Sequence, residues 1–278
     1  LARHTHRRRA GVLAVAALIT ALALRSHFSA PGNPGSIDIA GHTGELIASV
    51  RTEPQSFNWL TRRDATTHLV SLLTQARLVE VNARTQEVEP WLAEGWTRSS
   101  DGRRYTVRLR PGLCFSDGVP LTADDVVFSL AAAFDPASTI REALLVGGQP
   151  LTASVIDPAT VEITFPGPFG PGLRLLDNLP ILPKHTLNAV FGAGMFARAW
   201  SVSADPREIV GAGPFVLSEY APGEHLVFTR NPHYFRRDSH GRSLPYLDRV
   251  VIQVIPDQEG QTLSMQTGET DTSASEIR

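Results

Sequence analysis

Cysteine is nearly absent. Cys114 stands alone in 278 residues, so no internal disulfide can close, and no Cys/His pattern has the spacing of a zinc site. Lysine is as scarce. Lys184 is the only one, and arginine supplies the rest of the strongly basic side chains. That skew reads as the codon bias of a GC-rich genome, not as a binding signal. The apolar run Ala10–Leu24 falls short of the ~20 residues that a membrane-spanning helix needs. Catalytic signatures are missing too: no G-x-S-x-G, no H-E-x-x-H. The two glycines of "GAGPF" (211–215) lack the third glycine and following helix of a dinucleotide fingerprint. Nothing therefore asks for an enzyme, a metal or a cofactor.

What is present points to a folded body. Hydrophobic residues make up 42% of the chain and charged residues 19%, enough for one large domain or two smaller ones. The 22 glycines and 20 prolines imply many turns between short elements. Residues 1–35 hold five arginines and no acid, so the remainder carries 21 basic against 28 acidic side chains, a net of −7. An acidic body argues against nucleic acid as a partner.

The N-terminus, "RHTHRRRAGVLAVAALITALALRSHFSAPGNPG", has a basic start, the apolar run, then small residues and a Pro/Gly spacer. Residues 1–35 are thus expected to be a secretory signal, or alternatively an uncleaved anchor, with a spacer. Cleavage would fall near Ala21–Ala23 or Phe28–Ala30. The protein is expected outside the cytoplasm, periplasmic or bound to the cell envelope.

Periodicity then gives the elements. "GELIASV" (44–50) alternates as a strand and breaks at Glu53-Pro54. Thr66–Leu78 has helical spacing. Trp91, Leu92 and Trp96 beside Pro90 suggest a short helix. Asp101-Gly102 turns into a strand over Tyr105–Leu109. Residues 155–165 form a hairpin about "DPAT", and a helix is expected around Asn188–Ala199. Residues 209–235 read as strand, turn, strand, with Val216, Ser218 and Tyr220 on one face, Pro222-Gly223 turning the chain and Leu226, Phe228 and Arg230 continuing; Val250–Ile255 is a further strand, followed by a short helix stopped at Gly268. The class is α/β, mixed α+β.

"LCFSDGVPLTADDVVFSL" (113–130) gathers Cys114, Asp117, Asp124 and Asp125, yet reads as scaffold. Ser116-Asp117-Gly118 is a turn. Thr122 suits a helix N-cap, and Asp125 three residues on can return the bond, a capping-box variant. Val126, Leu130 and Phe134 make a core stripe, with Val127 and Ala131 beside it. Cys114, between Leu113 and Phe115, is expected to be buried and inert.

Several segments in this order resemble one family. They are "TEPQSFNWL", "EPWLAEGWTRSSDGRRYTVRLRPGLCFSDGVPLTADDVVFSL", "IDPATVEITF", "ILPKH", "IVGAGPFVLSEYAPGEHLVFTRNPHYF" and "LPYLDRV". The chain is similar over about 44–271 to the extracytoplasmic solute-binding proteins of peptide/nickel-type ABC transporters, family 5. The resemblance implies a two-lobed fold closing on a peptide or similar small solute, which is then delivered to a membrane permease. It implies a monomer without catalysis. The first lobe would comprise 44–60 and about 170–278, with an inserted subdomain at about 61–169. The second lobe would be largely missing, so a truncated, non-transporting remnant or a sensor module of the same fold is the alternative. On the likeness, Ser56, Phe57 and Asn58 are ligand-side candidates, with Gly213 in the "GAGPF" turn beside the hinge. Both loops could equally be structural.

Overall fold

The computed structural model describes residues 44–274. The signal or anchor expected in residues 1–35 lies outside them. In chain order the main elements are β1 (Glu45–Val50), α1 (Ala65–Thr74), β2 (Val79–Val81), β3 (Val88–Pro90), β4 (Ala93–Arg98) and β5 (Arg104–Leu109). There follow α2 (Ala123–Ala133), β6 (Thr152–Asp157), β7 (Thr160–Thr164), α3 (Lys184–Gly192), β8 (Phe215–Ala221) and β9 (His225–Arg230). The last are β10 (Arg249–Val254), α4 (Gln258–Thr267) and β11 (Thr272–Ser273).

Two sheets organise the described residues. A five-stranded mixed sheet runs β11-β1-β10-β9-β8, and a four-stranded antiparallel sheet runs β4-β5-β7-β6. The first joins strands far apart in sequence: β1 pairs in parallel with β10, Glu45 opposite Arg249. Everything from α1 to α3 lies between them in the chain. β2 and β3 form a separate hairpin. The mixed α/β class is as the sequence implies.

Local chemistry sets the element ends. Asp64 caps α1, accepting from Thr67 N–H at 2.9 Å. Thr122 stands at the N-cap of α2, and the Asp125 carboxylate accepts from Thr122 N–H at 2.9 Å. The same carboxylate accepts from Lys184 N–H at 2.9 Å, so it also holds the first residue of α3. Burial pushes the Asp125 acid up, against the hydrogen bonds from Thr122 and Lys184. Lys184 Nζ reaches Asp124 at 2.7 Å. α4 ends at Gly268, which takes the left-handed φ of 78° that glycine adopts without strain.

The structure corrects four local expectations. The segment 91–96 contains no helix; residues 93–98 are strand β4, paired with β5 across the Asp101-Gly102 turn. A hairpin has two arms, and the sequence pattern marks only the second, Tyr105–Leu109. α3 begins at Lys184, directly after Pro183, not near Asn188, and a separate 3-10 turn at Phe196–Arg198 replaces its expected end. The buried face of α2 is wider than the stripe: Phe128 and Ala132 are buried, while Ala131 is exposed. Cys114 is half-buried, with Sγ 3.8 Å from the Gly112 carbonyl. One apolar cluster continues through both sheets, with Phe57, Phe115, Phe165, Phe196 and Phe228 fully enclosed.

Candidate functional site

Strands β1, β10 and β11 are parallel, so their carboxyl ends share one edge of the sheet. Open α/β sheets take ligands outside that edge. Three segments meet there. The loop after β1 (51–64) touches the residues after β10, with Arg51 Nε donating to the Pro256 carbonyl at 3.3 Å. The turn between β8 and β9 comes alongside, with Tyr220 OH donating to Glu53 Oε2 at 2.9 Å. Burial, then the Glu53 carboxylate, pushes the Tyr220 phenol up to about 12.

The loop is latched to the first turn of α1. Thr66 Oγ1 donates to the Thr52 carbonyl at 2.7 Å, and Thr67 Oγ1 donates to the Ser56 carbonyl at 2.8 Å. These bonds fix the entrance of α1 at the sheet's carboxyl edge.

The structure brings Ser56, Phe57 and Asn58 together beneath this rim, facing inward. They are 5%, 1% and 1% exposed. Ser56 Oγ donates to the Trp200 carbonyl at 3.1 Å and accepts from Asn58 N–H at 3.0 Å. Phe57 N–H donates to the same carbonyl at 2.9 Å, and its ring stands edge-on to Tyr220 at 5.3 Å. Asn58 Oδ1 accepts from Leu60 N–H at 3.1 Å, while its buried Nδ2 has no hydrogen-bond partner. Trp200 holds a φ of 55°, a region costly for a bulky residue, and this aims its carbonyl at the loop.

Gly213 sits at the other end of α1. Its N–H donates to the Thr74 carbonyl at 2.9 Å, and its carbonyl accepts from Asn231 Nδ2 at 2.8 Å. Thr122 and Asp125 belong to the α2–α3 junction, beside an open depression of about 440 Å³ that Lys184 and His185 also line. His185 Nε2 lies 2.7 Å from the Asp117 carboxylate there.

Periodicity alone passes over the outward-facing residues of the rim. Arg51, Thr52, Gln55 and Arg63 are exposed, and Trp59 is half-buried. Trp59 stacks on His68 with ring centres 4.3 Å apart, and the Arg63 guanidinium lies 5.4 Å from the Trp59 ring centre. The signal for them was the loop's place between a strand end and a capped helix.

Burial, then the charges of Arg77 and Arg63, lowers the His68 imidazole from 6.5 to about 4. The unfolded chain takes up a proton below 6.5 and the native chain only near 4. Stability contributed by neutral His68 is therefore complete above pH 6.5 and lost as pH falls towards 4. With partial exposure discounted, the loss is about 2 kcal/mol. Urea unfolding at pH 7.5 and 4.5 should show it, and His68→Gln should flatten the difference. An equal pH dependence in both proteins would refute the assignment.

Among the described residues no helix is long and apolar enough to cross a membrane. Nor do three or more His, Cys, Asp or Glu side chains gather in a way that could hold a metal ion.

The profile of bacterial extracellular solute-binding proteins, family 5, matches residues 87–277. A probable ABC transporter-binding protein of Deinococcus radiodurans is 30% identical over 213 residues, 74% of this chain and 36% of that protein. The oligopeptide-binding protein AppA of Bacillus subtilis, solved in complex with a nonapeptide, superposes with a TM-score of 0.66 at 28% identity. The match covers 82% of this chain and 43% of that one. NikZ of Campylobacter jejuni, solved in complex with Ni(L-His), gives 0.65 at 26% identity, covering 84% and 43%. The chain thus spans about two fifths of the length of the relatives it matches.

Proposed function

The chain belongs to the bacterial extracellular solute-binding proteins of family 5, and from that premise we propose that it serves substrate capture for an ABC importer. It takes peptides or similar small solutes outside the cytoplasmic membrane and passes them to a permease. Members of the family bind and do not catalyse.

The observation that carries this reading is the rim itself. A loop leaves β1 at the carboxyl edge of a mixed sheet, is latched to α1, and keeps polar and aromatic groups facing outward. Buried Ser56, Phe57 and Asn58 serve as the loop's footing, and Arg51, Thr52, Gln55 and Trp59 meet the solute. Gly213 contributes at one remove, by seating the end of α1.

Calorimetric titration with di- to pentapeptides and with a nickel–histidine complex tests the proposal. Saturable binding to at least one of these ligand classes is expected. Silence across both sets, while Bacillus subtilis AppA binds under the same conditions, would end it.

A further inference from the structure

We propose that Arg63, presented over the face of Trp59 at the entrance of α1, takes a carboxylate of the bound solute. This rests on the peptide-capture reading and narrows it to carboxylate-bearing ligands.

Position comes first. Arg63 immediately precedes the N-cap Asp64, and the first turn of α1 is latched to residues 52–56. The side chain therefore stands at the carboxyl edge of the sheet, among the exposed residues of the loop.

Its charge is uncompensated. Neither Arg62 nor Arg63 joins an ion pair among the described residues. Asp64 is adjacent but committed. Its Oδ1 accepts from Thr67 N–H at 2.9 Å, and its Oδ2 accepts from Gln55 N–H at 3.4 Å and lies 2.6 Å from Thr67 Oγ1. Arg62 donates Nη1 to the Thr61 carbonyl at 3.2 Å, so it is partly spent. Arg63 instead rests over the Trp59 ring. Its N–H donors are left for a ligand.

The platform gives the charge a direction. Trp59 lies nearly parallel to His68, at 23° between planes, so the indole is braced from beneath. A guanidinium resting on a fixed ring loses less freedom on pairing than one extended into water, and its planar fork matches a carboxylate at two points. His68 stays neutral at ordinary pH and adds no second cation to the stack. The body is acidic, net −7 beyond residue 35, and would repel an anionic group elsewhere, so an uncompensated cation on the rim sets where such a group can approach.

The test uses three probes on the full chain: trialanine as the free acid, its C-terminal amide, and the amide of Ala-Glu-Ala. A carboxylate peptide should bind about tenfold tighter than the neutral amide, the size of one charge-assisted pair. Arg63→Gln should bring all three to one affinity without moving the unfolding temperature, and Arg63→Lys should restore part of the preference. Preference for the free acid assigns the terminal carboxylate, and preference for the glutamyl amide assigns a side chain; either supports the proposal. Equal affinity for all three in the wild-type chain would overturn it while leaving peptide capture intact. So would a preference that persists in Arg63→Gln. Failure to bind any of the three peptides would overturn the proposal, while substrate capture as such is decided by the titrations with longer peptides and the nickel–histidine complex.

Discussion

Replacing Gly213 by alanine is expected to cost about 4 kcal/mol or more of folding free energy, a large share of the roughly 5–15 kcal/mol that holds a typical domain folded. The reason is space, not backbone angle. A Cβ there would lie 2.6 Å from Gln75 N and 2.7 Å from the Leu73 carbonyl oxygen, and nearer still to the Thr74 carbonyl carbon. All three are backbone atoms at the end of α1, so no side chain can swing aside. Gly211 presses on the Thr74 carbonyl in the same way and should behave alike. Shifting the strand away would break the Gly213 N–H bond to Thr74 and the Asn231 bond to the Gly213 carbonyl. Urea unfolding followed by circular dichroism measures the loss. A variant with a wild-type midpoint would show that this close approach is not required.

Phe57→Ala should cost about 3–5 kcal/mol, in the range of a fully enclosed phenylalanine. The ring is 1% exposed and meets Tyr220 edge-on, so its removal leaves a cavity beneath the rim and a ring without its partner. The Trp200 carbonyl can still bond the backbone at position 57, which limits the damage to packing. Phe57→Leu, which keeps most of the volume, should cost far less. Chemical denaturation of both variants checks the pair; a loss below about 1 kcal/mol for alanine would mean that the site collapses around the gap.

Much of this fold was legible where a local rule had one dominant outcome. Alternation matches burial in β5, β10 and the start of β8, where buried and less buried positions take turns, whereas β1 and β9 each bury three residues in a row and are legible as short β-prone runs between turns. Cap chemistry gave the start of α2 and the end of α4. β2 and β11, of three and two residues, are too short to carry a period, and their pairing partners alone define them. In β4 local pattern and structure part company: Trp91, Leu92 and Trp96 also fit a helical turn, and pairing with β5 decides for extended backbone. The candidate loop stands out in the sequence, but the direction of each of its side chains does not. Ser56, Phe57 and Asn58 attract attention as a polar-aromatic run. Yet the Trp200 carbonyl that draws Ser56 and Phe57 inward lies 144 residues from Ser56, beyond any window of local pattern. Arg63 carries no local signal, since only the placement of α1 sets it on the rim.

The lone lysine has a further consequence through topology. A protease specific for lysine has one bond to cut in this sequence, after Lys184. That cut would put β1 on one polypeptide and β8, β9 and β10 on the other, although the five-stranded sheet needs both. Asp117, on the first piece, also lies 2.7 Å from His185 Nε2 on the second. The nicked molecule would be two chains sharing a single sheet. Denaturant would separate them, whereas loss of covalent continuity by itself would not.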